Sequence, residues 1–230
     1  MASNKDTLTV AWCDNGMVDG KFTQGLIYTL MEAGKLGINV TNCARAAGNQ
    51  IGRQRQAVFD GWADELKTDW ILWVDSDVVI TIEILKKLWE TAHKILRPVV
   101  SGVYFISKSA EGELSKPLPV IFNDVDKFTI QHIHPLPQDE VIPIDCAGMG
   151  LVLMHKSIIP KLREMIPGQS VFAEQEGLNN EFVSEDVVFF RYLKQAGIPV
   201  VAHTGAIATH MKRYNLDYNH YAMWWNAQTK

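Results

Sequence analysis

The sequence predicts an α/β protein built on one doubly wound, mostly parallel sheet with helices on both faces, followed by an irregular antiparallel second half. Three observations favour this fold. Short apolar runs alternate with segments of helical periodicity along the first half of the chain. The run from Trp70 to Val74 is apolar throughout, which is typical of a strand covered on both faces. From Ser107 to Pro143, prolines and weak alternation indicate antiparallel strands and loops.

In the first half, the apolar runs and helical spacings define each element in turn, and the Asp14-Asn15-Gly16 turn ends the first strand. The predicted elements are a strand from Leu8 to Cys13, a helix from Phe22 to Ala33, a strand from Ile38 to Cys43, a helix from Gln50 to Leu66 and the strand from Trp70 to Val74.

In the second half, Thr81 is the expected N-cap of a helix that Pro98 ends. The predicted elements are a helix from Ile82 to Leu96, a strand from Val99 to Ile106, a strand from Cys146 to Met154, helices from Ser157 to Met165 and Ser184 to Gln195, and a last strand from Ile198 to Ala202. The polar segment from Gly168 to Glu181 is a candidate mobile loop.

Composition and charge exclude several classes of protein. With 47% hydrophobic and 21% charged residues, the 230-residue chain is neither disordered nor fibrous, and its length favours a single domain, 1–230. A formal charge of −4 gives no reason to expect general binding to nucleic acid or anionic membranes. Three cysteines without a C-x-x-C pattern favour a reducing compartment. No apolar run approaches the ~20 residues of a membrane span, so we expect a soluble, cytoplasmic protein.

Asp75-Ser76-Asp77 is the strongest candidate for chemistry. It follows the buried third strand at its carboxyl end, where ligands bind in doubly wound sheets. Two carboxylates at this spacing can converge on one hard divalent cation, and charges beside a buried strand are costly unless they are paired. The alternative is a turn that only caps the strand. A second D-x-D, Asp124-Val125-Asp126, follows no buried strand and is interpreted as a solvated loop.

Acidic and basic residues near two later elements also suit a reaction site. Glu185 and Asp186 follow Ser184 at the start of a helix, where they either stabilise the helix dipole or supply a carboxylate base. His210 is either structural or a metal ligand, and one imidazole among oxygen ligands suits manganese better than magnesium. Lys212 would hold phosphate oxygens, or it is simply solvated.

Two arginines precede the D-x-D strand on the second predicted helix. Arg53 and Arg55 would contact a nucleotide or diphosphate, or they lie exposed on that helix. The sequence contains no G-x-x-x-x-G-K-[ST], no G-x-G-x-x-G and no G-x-S-x-G. A P-loop, a dinucleotide fingerprint and a nucleophile elbow are therefore excluded.

Taken together, these segments resemble the nucleotide-sugar-dependent glycosyltransferases of the GT-A fold. The matching segments, in chain order, are an opening strand ending at Asp14, the pair Arg55-Gln56, DWILWVDSDV, DCAGMGLVLMHKS, SEDVVFFRYLKQAG and His210. The resemblance spans most of the chain from Leu8 to Arg213. Thr41-Asn42-Cys43 replace the acidic motif that this family often carries after the second strand, which leaves recognition of the base open.

The resemblance implies a metal-dependent transfer of a hexose from a nucleoside-diphosphate sugar, with a UDP-hexose expected, to a hydroxyl of a glycan or other acceptor. Mn²⁺ or Mg²⁺ would be bound by Asp75, Asp77 and His210. Asp186, with Glu185 beside it, would be the catalytic base of an inverting enzyme; if Asp186 only caps its helix, a retaining mechanism stays open. The implied donor-binding residues are Trp12, Asp14, Arg53, Arg55, Asp75, Ser76, Asp145, Ala147, Gly148 and Lys212.

The same resemblance divides the domain into a nucleotide-binding half, 1–77, a donor-sugar and acceptor half, 78–213, and an aromatic tail, 214–230. The aromatic residues of the tail either pack on the domain or stack on sugar rings; they are Tyr214, Tyr218, Tyr221, Trp224 and Trp225. We expect part of this tail, with the loop from Gly168 to Glu181, to close over the substrates.

Other classes of protein share parts of this pattern. Phosphatases of the haloacid-dehalogenase type also carry a hydrophobic strand followed by Asp-x-Asp, but in them that strand comes first. Nucleotidyltransferases that activate sugars carry a glycine-rich basic loop near the N-terminus, which the segment from Leu8 to Gly20 lacks. A non-catalytic glycan-binding module on the same fold would bind glycans without metal.

Overall fold

The computed structural model describes residues 2, 6–107, 116–126, 129–176, 182–212, 218, 222 and 225. Its α-helices are α1 (Gly20–Ala33), α2 (Ile51–Gly61), α3 (Ile82–Thr91), α4 (Ile158–Met165) and α5 (Glu185–Gln195). A 3₁₀ turn, Gly34–Leu36, follows α1, and a π-helical turn, Trp62–Leu66, extends α2.

The strands of the first half are β1 (Thr7–Asp14), β2 (Asn39–Ala47), β3 (Trp70–Val74), β4 (Val78–Val79), β5 (Val99–Val103) and β6 (Phe105–Ser107). Those of the second half are β7 (Pro117–Pro119), β8 (Ile121–Asp124), β9 (Ile130–His132), β10 (Val141–Pro143), β11 (Cys146–Ala147), β12 (Leu151–His155), β13 (Gln175–Glu176), β14 (Phe182–Val183), β15 (Val200–Ile207) and β16 (Thr209–His210).

The main sheet has seven strands in the order β10-β15-β5-β12-β3-β1-β2. β1, β2, β3, β5 and β15 run in one direction, and β10 and β12 run against them, so the expected mostly parallel sheet is confirmed. β3 lies between parallel β1 and antiparallel β12, and all five of its residues are buried. Because β12 is antiparallel, it begins at the carboxyl end of β3 and brings the segment before it to that edge.

Small sheets cover the carboxyl edge. A three-stranded sheet, β11-β8-β9, packs against α5, and β6 pairs with β7. β16 pairs antiparallel with β4, with His210 opposite Val78. This pairing brings the end of the chain's last described strand back to the turn that follows β3.

The structure corrects five predicted boundaries. The strand expected from Val99 to Ile106 is two strands, β5 and β6, and the last strand runs to Ile207 rather than Ala202. Helix α3 ends at Thr91 rather than Leu96, because Ala92 leaves the helical region at ψ 139° and a turn closed by His93 and Arg97 follows. The predicted strand from Cys146 to Met154 is two strands separated by a glycine turn. The second strand runs to Ala47, beyond Cys43.

The second D-x-D is also corrected. Asp124 is not a solvated loop residue, because it ends β8 and its carboxylate pairs with Arg191 of α5 at 2.7 Å. Lys194, one helical turn on, pairs with Asp145 at 2.9 Å. These contacts hold the three-stranded sheet on α5.

Candidate active site

The D-x-D segment forms a tight turn between β3 and β4. The backbone N–H of Asp75 donates to the carbonyl of Gly150 (3.1 Å), and the N–H of Val78 donates to the carbonyl of Asp75 (2.9 Å). The turn therefore sits at the edge where the segment before β12 arrives. It presents the carboxylates of Asp75 and Asp77 in different surroundings.

Asp75 belongs to a buried ionic group. Arg55 donates through Nη2 to Asp75 Oδ1 (3.2 Å) and through Nη1 to Glu185, and the side chains of Arg55 and Glu185 are each 7% exposed. Burial raises the pKa of Glu185, which Arg55 partly offsets. Burial opposes the charge of Arg55 as well, yet the carboxylates of Asp75, Asp186 and Glu185 hold its pKa above the ordinary value. The buried, charged side chain of Arg55 thus connects α2 to the end of β3 and to α5, and it is not an exposed helix arginine.

Asp77 is not bonded to Arg55 and is more exposed than Asp75. Its carboxylate is 41% exposed, with Oδ2 at 3.2 Å from Nε2 of His210 and 3.7 Å from Nζ of Lys212. Burial opposes its ionisation, but the hydrogen bond and charge of His210 leave the pKa of Asp77 below the ordinary value. The N–H of Met211 donates to the carbonyl of Asp77 (2.7 Å), so the β16 segment is fixed against the turn.

The orientation of His210 follows from its second nitrogen. Nδ1 lies 2.8 Å from the carbonyl oxygen of Phe105, which can only accept, so Nδ1 carries the proton. In the neutral ring, the Nε2 lone pair then points at a carboxylate oxygen. Two acceptors face each other, an arrangement that is stable only with a proton or a cation between them. A backbone carbonyl holding the far nitrogen is the usual support of a metal-binding histidine.

The arrangement of Asp77 and His210 fits a divalent cation that takes some of its ligands from the protein and the rest from a bound substrate. Among the described residues, no group of three His, Cys, Asp or Glu side chains forms a metal site by itself. Asp77 and His210 would supply two ligands, while Arg55 already donates to Asp75. Mg²⁺-like ions are commonly held by one or two carboxylates together with substrate phosphates, so the donor set fits an ion completed by a diphosphate.

Asp186 lies on the same cavity. A cavity of about 450 Å³ is lined by both D-x-D carboxylates, Asp186, and residues of β6, β8, β9, α5, β16 and the adjoining loops: Tyr104, Ile106, Val120, Phe122, Ile130, His132, Ser184, Val187, His210 and Lys212. Oδ1 of Asp186 accepts from Ser184 Oγ and from the N–H of Val187 (2.8 Å). Within the described part of the chain, Oδ2 of Asp186 has no hydrogen-bond donor. Glu185, by contrast, points away from the cavity to Arg55.

Sequence reasoning missed Tyr104. Its hydroxyl accepts from the N–H of Gly150 (3.3 Å), and its ring lies edge-on to His210 at 5.2 Å. A Cβ at Gly148 would lie 2.1 Å from this hydroxyl, and a Cβ at Gly150 would lie 2.9 Å from Asp75 Oδ2. The glycines therefore allow Tyr104 and Asp75 to pack on bare backbone. Only the glycine spacing before β12 hinted at such a neighbour.

Asp14 forms a separate, saturated cluster at the end of β1. Its buried carboxylate accepts from Arg45 twice (2.6 and 2.7 Å), from the N–H of Gly16 (2.7 Å) and from Trp12 Nε1 (3.2 Å). The Arg45 hydrogen bond is the main reason that the pKa of Asp14 is lowered. The structure thus joins Trp12 and Asp14, and it adds Arg45, which the sequence did not single out.

The other predicted donor residues are dispersed. Arg53 is exposed and lines a cavity of about 700 Å³ beside α2 that does not include the D-x-D carboxylates. Ser76 lines a third cavity, of about 440 Å³, on the α1 side of the turn, and Asp77 and Lys212 line this cavity as well. Ala147 and Gly148 are buried, and Asp145 is paired with Lys194.

The segments expected to close over the substrates are only partly described. Residues 177–181 of the loop and Tyr214, Tyr221 and Trp224 of the tail lie outside the described residues. The described part of the loop packs on the domain, since Phe172 is buried and stacks on Phe189 at 4.6 Å. Tyr218 and Trp225 are exposed.

Comparison with known proteins gives a likeness of fold. No family model and no curated protein matches the sequence. Among solved structures, A197 from STIV has a TM-score of 0.50 at 17% identity, over 89% of this chain and 86% of that one. This similarity and the sheet order agree with the expected GT-A-like α/β fold, which is confirmed.

Two further structures score lower. GalNAc-T7 with UDP, GalNAc and Mn²⁺ gives a TM-score of 0.49 at 9% identity over 91% of this chain, which spans 44% of that longer chain. A Drosophila β-1,4-galactosyltransferase 7 complex with manganese, UDP-Gal and xylobiose gives 0.48 at 11% identity, over 94% of this chain and 78% of that one. The ligands in these names belong to those proteins.

No helix of the described residues is both long enough and apolar enough to span a membrane.

Proposed function

We propose that this chain is a metal-dependent glycosyltransferase that moves a hexose from a nucleoside-diphosphate sugar, expected to be a UDP-hexose, to an acceptor hydroxyl with inversion. One observation supports this most: Asp77, His210, Lys212 and Asp186 line a single cavity of about 450 Å³ at the carboxyl end of β3. In open α/β sheets, ligands bind outside this edge.

The donor diphosphate is proposed to lie against the D-x-D turn. Asp77 and His210 would hold Mn²⁺ or Mg²⁺, and Lys212, 3.7 Å from Asp77 and exposed, donates to phosphate oxygens. The bound cation supplies positive charge for the negative charge that grows on the leaving diphosphate. A group placed in advance for such charge contributes about 10²–10³-fold to the rate.

Asp186 is proposed as the base. Its Oδ1 is held by Ser184 and Val187, which leaves Oδ2 to accept the proton of the acceptor hydroxyl. As the oxygen of the acceptor hydroxyl bonds to the anomeric carbon of the donor sugar, the bond from this carbon to the diphosphate oxygen breaks. The diphosphate leaves with the electron pair of that bond. A positioned base contributes about 10²–10⁴-fold.

Glu185 is proposed to have a different role from the catalytic one expected beside Asp186. Because it is buried and paired with Arg55, it positions Arg55 and thereby Asp75. Val120, Phe122 and Ile106 form an apolar part of the cavity lining, and they would keep water from that part when a donor is bound. Water exclusion strengthens the electrostatic interactions inside it.

A panel of nucleotide sugars tests the proposal, assayed for nucleoside-diphosphate release with and without Mn²⁺. We expect metal-dependent release that Asp77→Ala abolishes and that Asp186→Ala slows strongly only when acceptor is present. The anomeric configuration of the product distinguishes inversion from retention.

Two results would favour the other readings. Phosphate release from simple phosphomonoesters would favour a haloacid-dehalogenase-type phosphatase. Glycan binding without metal that survives Asp77→Ala, with no turnover, would favour a binding module.

A further inference from the structure

A tight turn follows α3 at the amino end of β5. The N–H of His93 donates to the carbonyl of Arg97 (3.1 Å), and the N–H of Arg97 donates back to His93 (2.9 Å). Inside the turn, Nδ1 of His93 accepts from the N–H groups of Ile95 (3.2 Å) and Leu96 (3.1 Å). The backbone of residues 93–97, which we name the 93–97 turn, is therefore fixed by its own hydrogen bonds.

This turn presents two large aliphatic side chains to solvent. Ile95 is 69% and Leu96 is 64% exposed. A single exposed aliphatic residue is ordinary. Two neighbours at the tip of an internally bonded turn differ, because the hydrogen bonds at their own N–H groups keep the backbone from folding them back onto the core.

Cations surround the tip. Lys94 and Arg97 flank the aliphatic pair in sequence, and Arg97 Nε also donates to the carbonyl of Thr91 (2.5 Å), which fixes its stem. Behind the tip lies a cavity of about 150 Å³ lined by Lys94, Ile95, Pro98, Ser157, Ile158, Lys161, Ile198 and Pro199. Both of its charged lining residues are lysines. Neither lysine forms an ion pair within the described part of the chain.

We propose that the 93–97 turn docks on the surface of an anionic lipid bilayer. Ile95 and Leu96 enter the boundary between headgroups and acyl chains, while Lys94, Arg97 and Lys161 contact lipid phosphates and carboxylates. An exposed aliphatic pair flanked by Lys94 and Arg97 fits a soft anionic surface. The overall charge of −4 conceals this local patch.

The docked orientation follows from the sheet. β5 runs in the same direction as β3, so the turn at its amino end lies at the edge opposite Asp77. The candidate active site thus faces away from the bilayer. Docking does not depend on the proposed reaction.

Co-sedimentation with vesicles tests this proposal. We expect the chain to bind vesicles of phosphatidylcholine with about 30% phosphatidylserine, and to bind pure phosphatidylcholine at least about tenfold more weakly. The double variant Ile95→Ser/Leu96→Ser should lower the partition coefficient by about tenfold or more, since its buried apolar groups are lost. Lys94→Ser/Lys161→Ser should lower it by a similar factor and weaken its dependence on salt.

The matched control is Ile27→Ser/Met31→Ser, which removes two exposed apolar side chains from α1 (52% and 67% exposed). It should bind like the wild type. All four substituted positions of the two apolar variants are exposed, and thermal unfolding checks that each variant folds. Wild-type protein that stays in the supernatant with the anionic vesicles would overturn the proposal, as would unchanged binding of the Ile95/Leu96 variant or a loss confined to the α1 control.

Discussion

The two ends of β3 both carry aspartates, but their surroundings differ. At the amino end, Asp69 accepts from the N–H and hydroxyl of Thr7 (2.9 Å each) and from Lys156 (2.7 Å), which together outweigh burial and lower the pKa of Asp69 to about 2. At the carboxyl end, Asp77 faces a histidine nitrogen that has no proton to give in its neutral form. The donors to Asp69 are complete, whereas Asp77 has only His210 and the more distant Lys212 beside it. We therefore expect Asp77 to be the carboxylate that accepts a ligand.

The carboxyl end itself contains both kinds of carboxylate. Asp75 and Glu185 both accept hydrogen bonds from Arg55. In this respect they resemble Asp69, which is held by Lys156 and Thr7. Asp77 and Asp186 line the same cavity as Asp75, but among the described residues neither accepts a hydrogen bond from Arg55. Within the D-x-D motif, Asp75 therefore has a structural role, and Asp77 has the proposed chemical one.

A substitution at the carboxyl end of β3 should affect activity far more than one at its amino end. Asp77→Asn should lower nucleotide release by about 10³-fold, because it weakens the charge that would hold the cation. Asp69→Asn is the matched control and should keep the wild-type rate. Equal losses in both variants, measured at saturating Mn²⁺ and donor, would contradict the comparison.

The second effect is on stability. Arg55→Met leaves Glu185 buried without its partner and should lower the free energy of unfolding by about 3–5 kcal/mol. Arg53→Met, on the exposed side of the same helix, should change it by no more than about 0.5 kcal/mol. Urea denaturation of both variants measures the change. If Arg55→Met left the free energy of unfolding unchanged, the ionic group would not stabilise the fold.

The third effect is a pH dependence at the amino end. Burial against Trp70 lowers the pKa of His155 from 6.5 to about 4, and its Nδ1 accepts from the N–H of Ser157. The folded state disfavours the protonated ring of His155. The stabilisation of the folded state by the neutral ring is therefore complete above pH 6.5 and is lost as the pH falls towards 4. It amounts to roughly 2–3 kcal/mol.

His155→Gln should flatten the stability profile in that window. Chemical denaturation at a series of pH values measures it. A profile as steep in the variant as in the wild type would assign the acid sensitivity to other groups.

The smallest effect is at Asp69 itself. Asp69→Asn keeps one acceptor for Thr7 but loses the ion pair with Lys156, so the free energy of unfolding should fall by about 1–2 kcal/mol. Thermal unfolding measures the change. An unaffected transition would mean that solvent replaces these contacts fully.

The fold was largely predictable because its signals are local. β3 has five consecutive apolar residues, and α3 places Ile84, Leu85, Leu88 and Trp89 on one face, so their periodicity was visible. The end of α3 was not, because residues 92–96 continue the apolar spacing while the backbone turns through His93. The antiparallel insertion of β12 depends on pairing between distant segments, which no local pattern encodes.

Part of the candidate site was predictable for the same reason. Asp75 and Asp77 follow a buried strand, and Asp186 starts a helix. Glu185 and Asp186 are neighbours in sequence, and only the packing of α5 on α2 directs one to Arg55 and the other to the cavity. Arg45 gave no signal, and Tyr104 was indicated only by the glycine spacing before β12, because their partners lie far along the chain.

Asp77 and His210 are proposed to bind one divalent cation together with a diphosphate. Anomalous diffraction at the manganese edge, from crystals grown with Mn²⁺ and a nucleoside diphosphate, tests this directly. We expect a peak about 2.0–2.3 Å from both Asp77 and His210 Nε2, with phosphate oxygens completing the coordination of the ion. A bound nucleotide with its ion elsewhere, and Asp77 still in contact with His210, would contradict it.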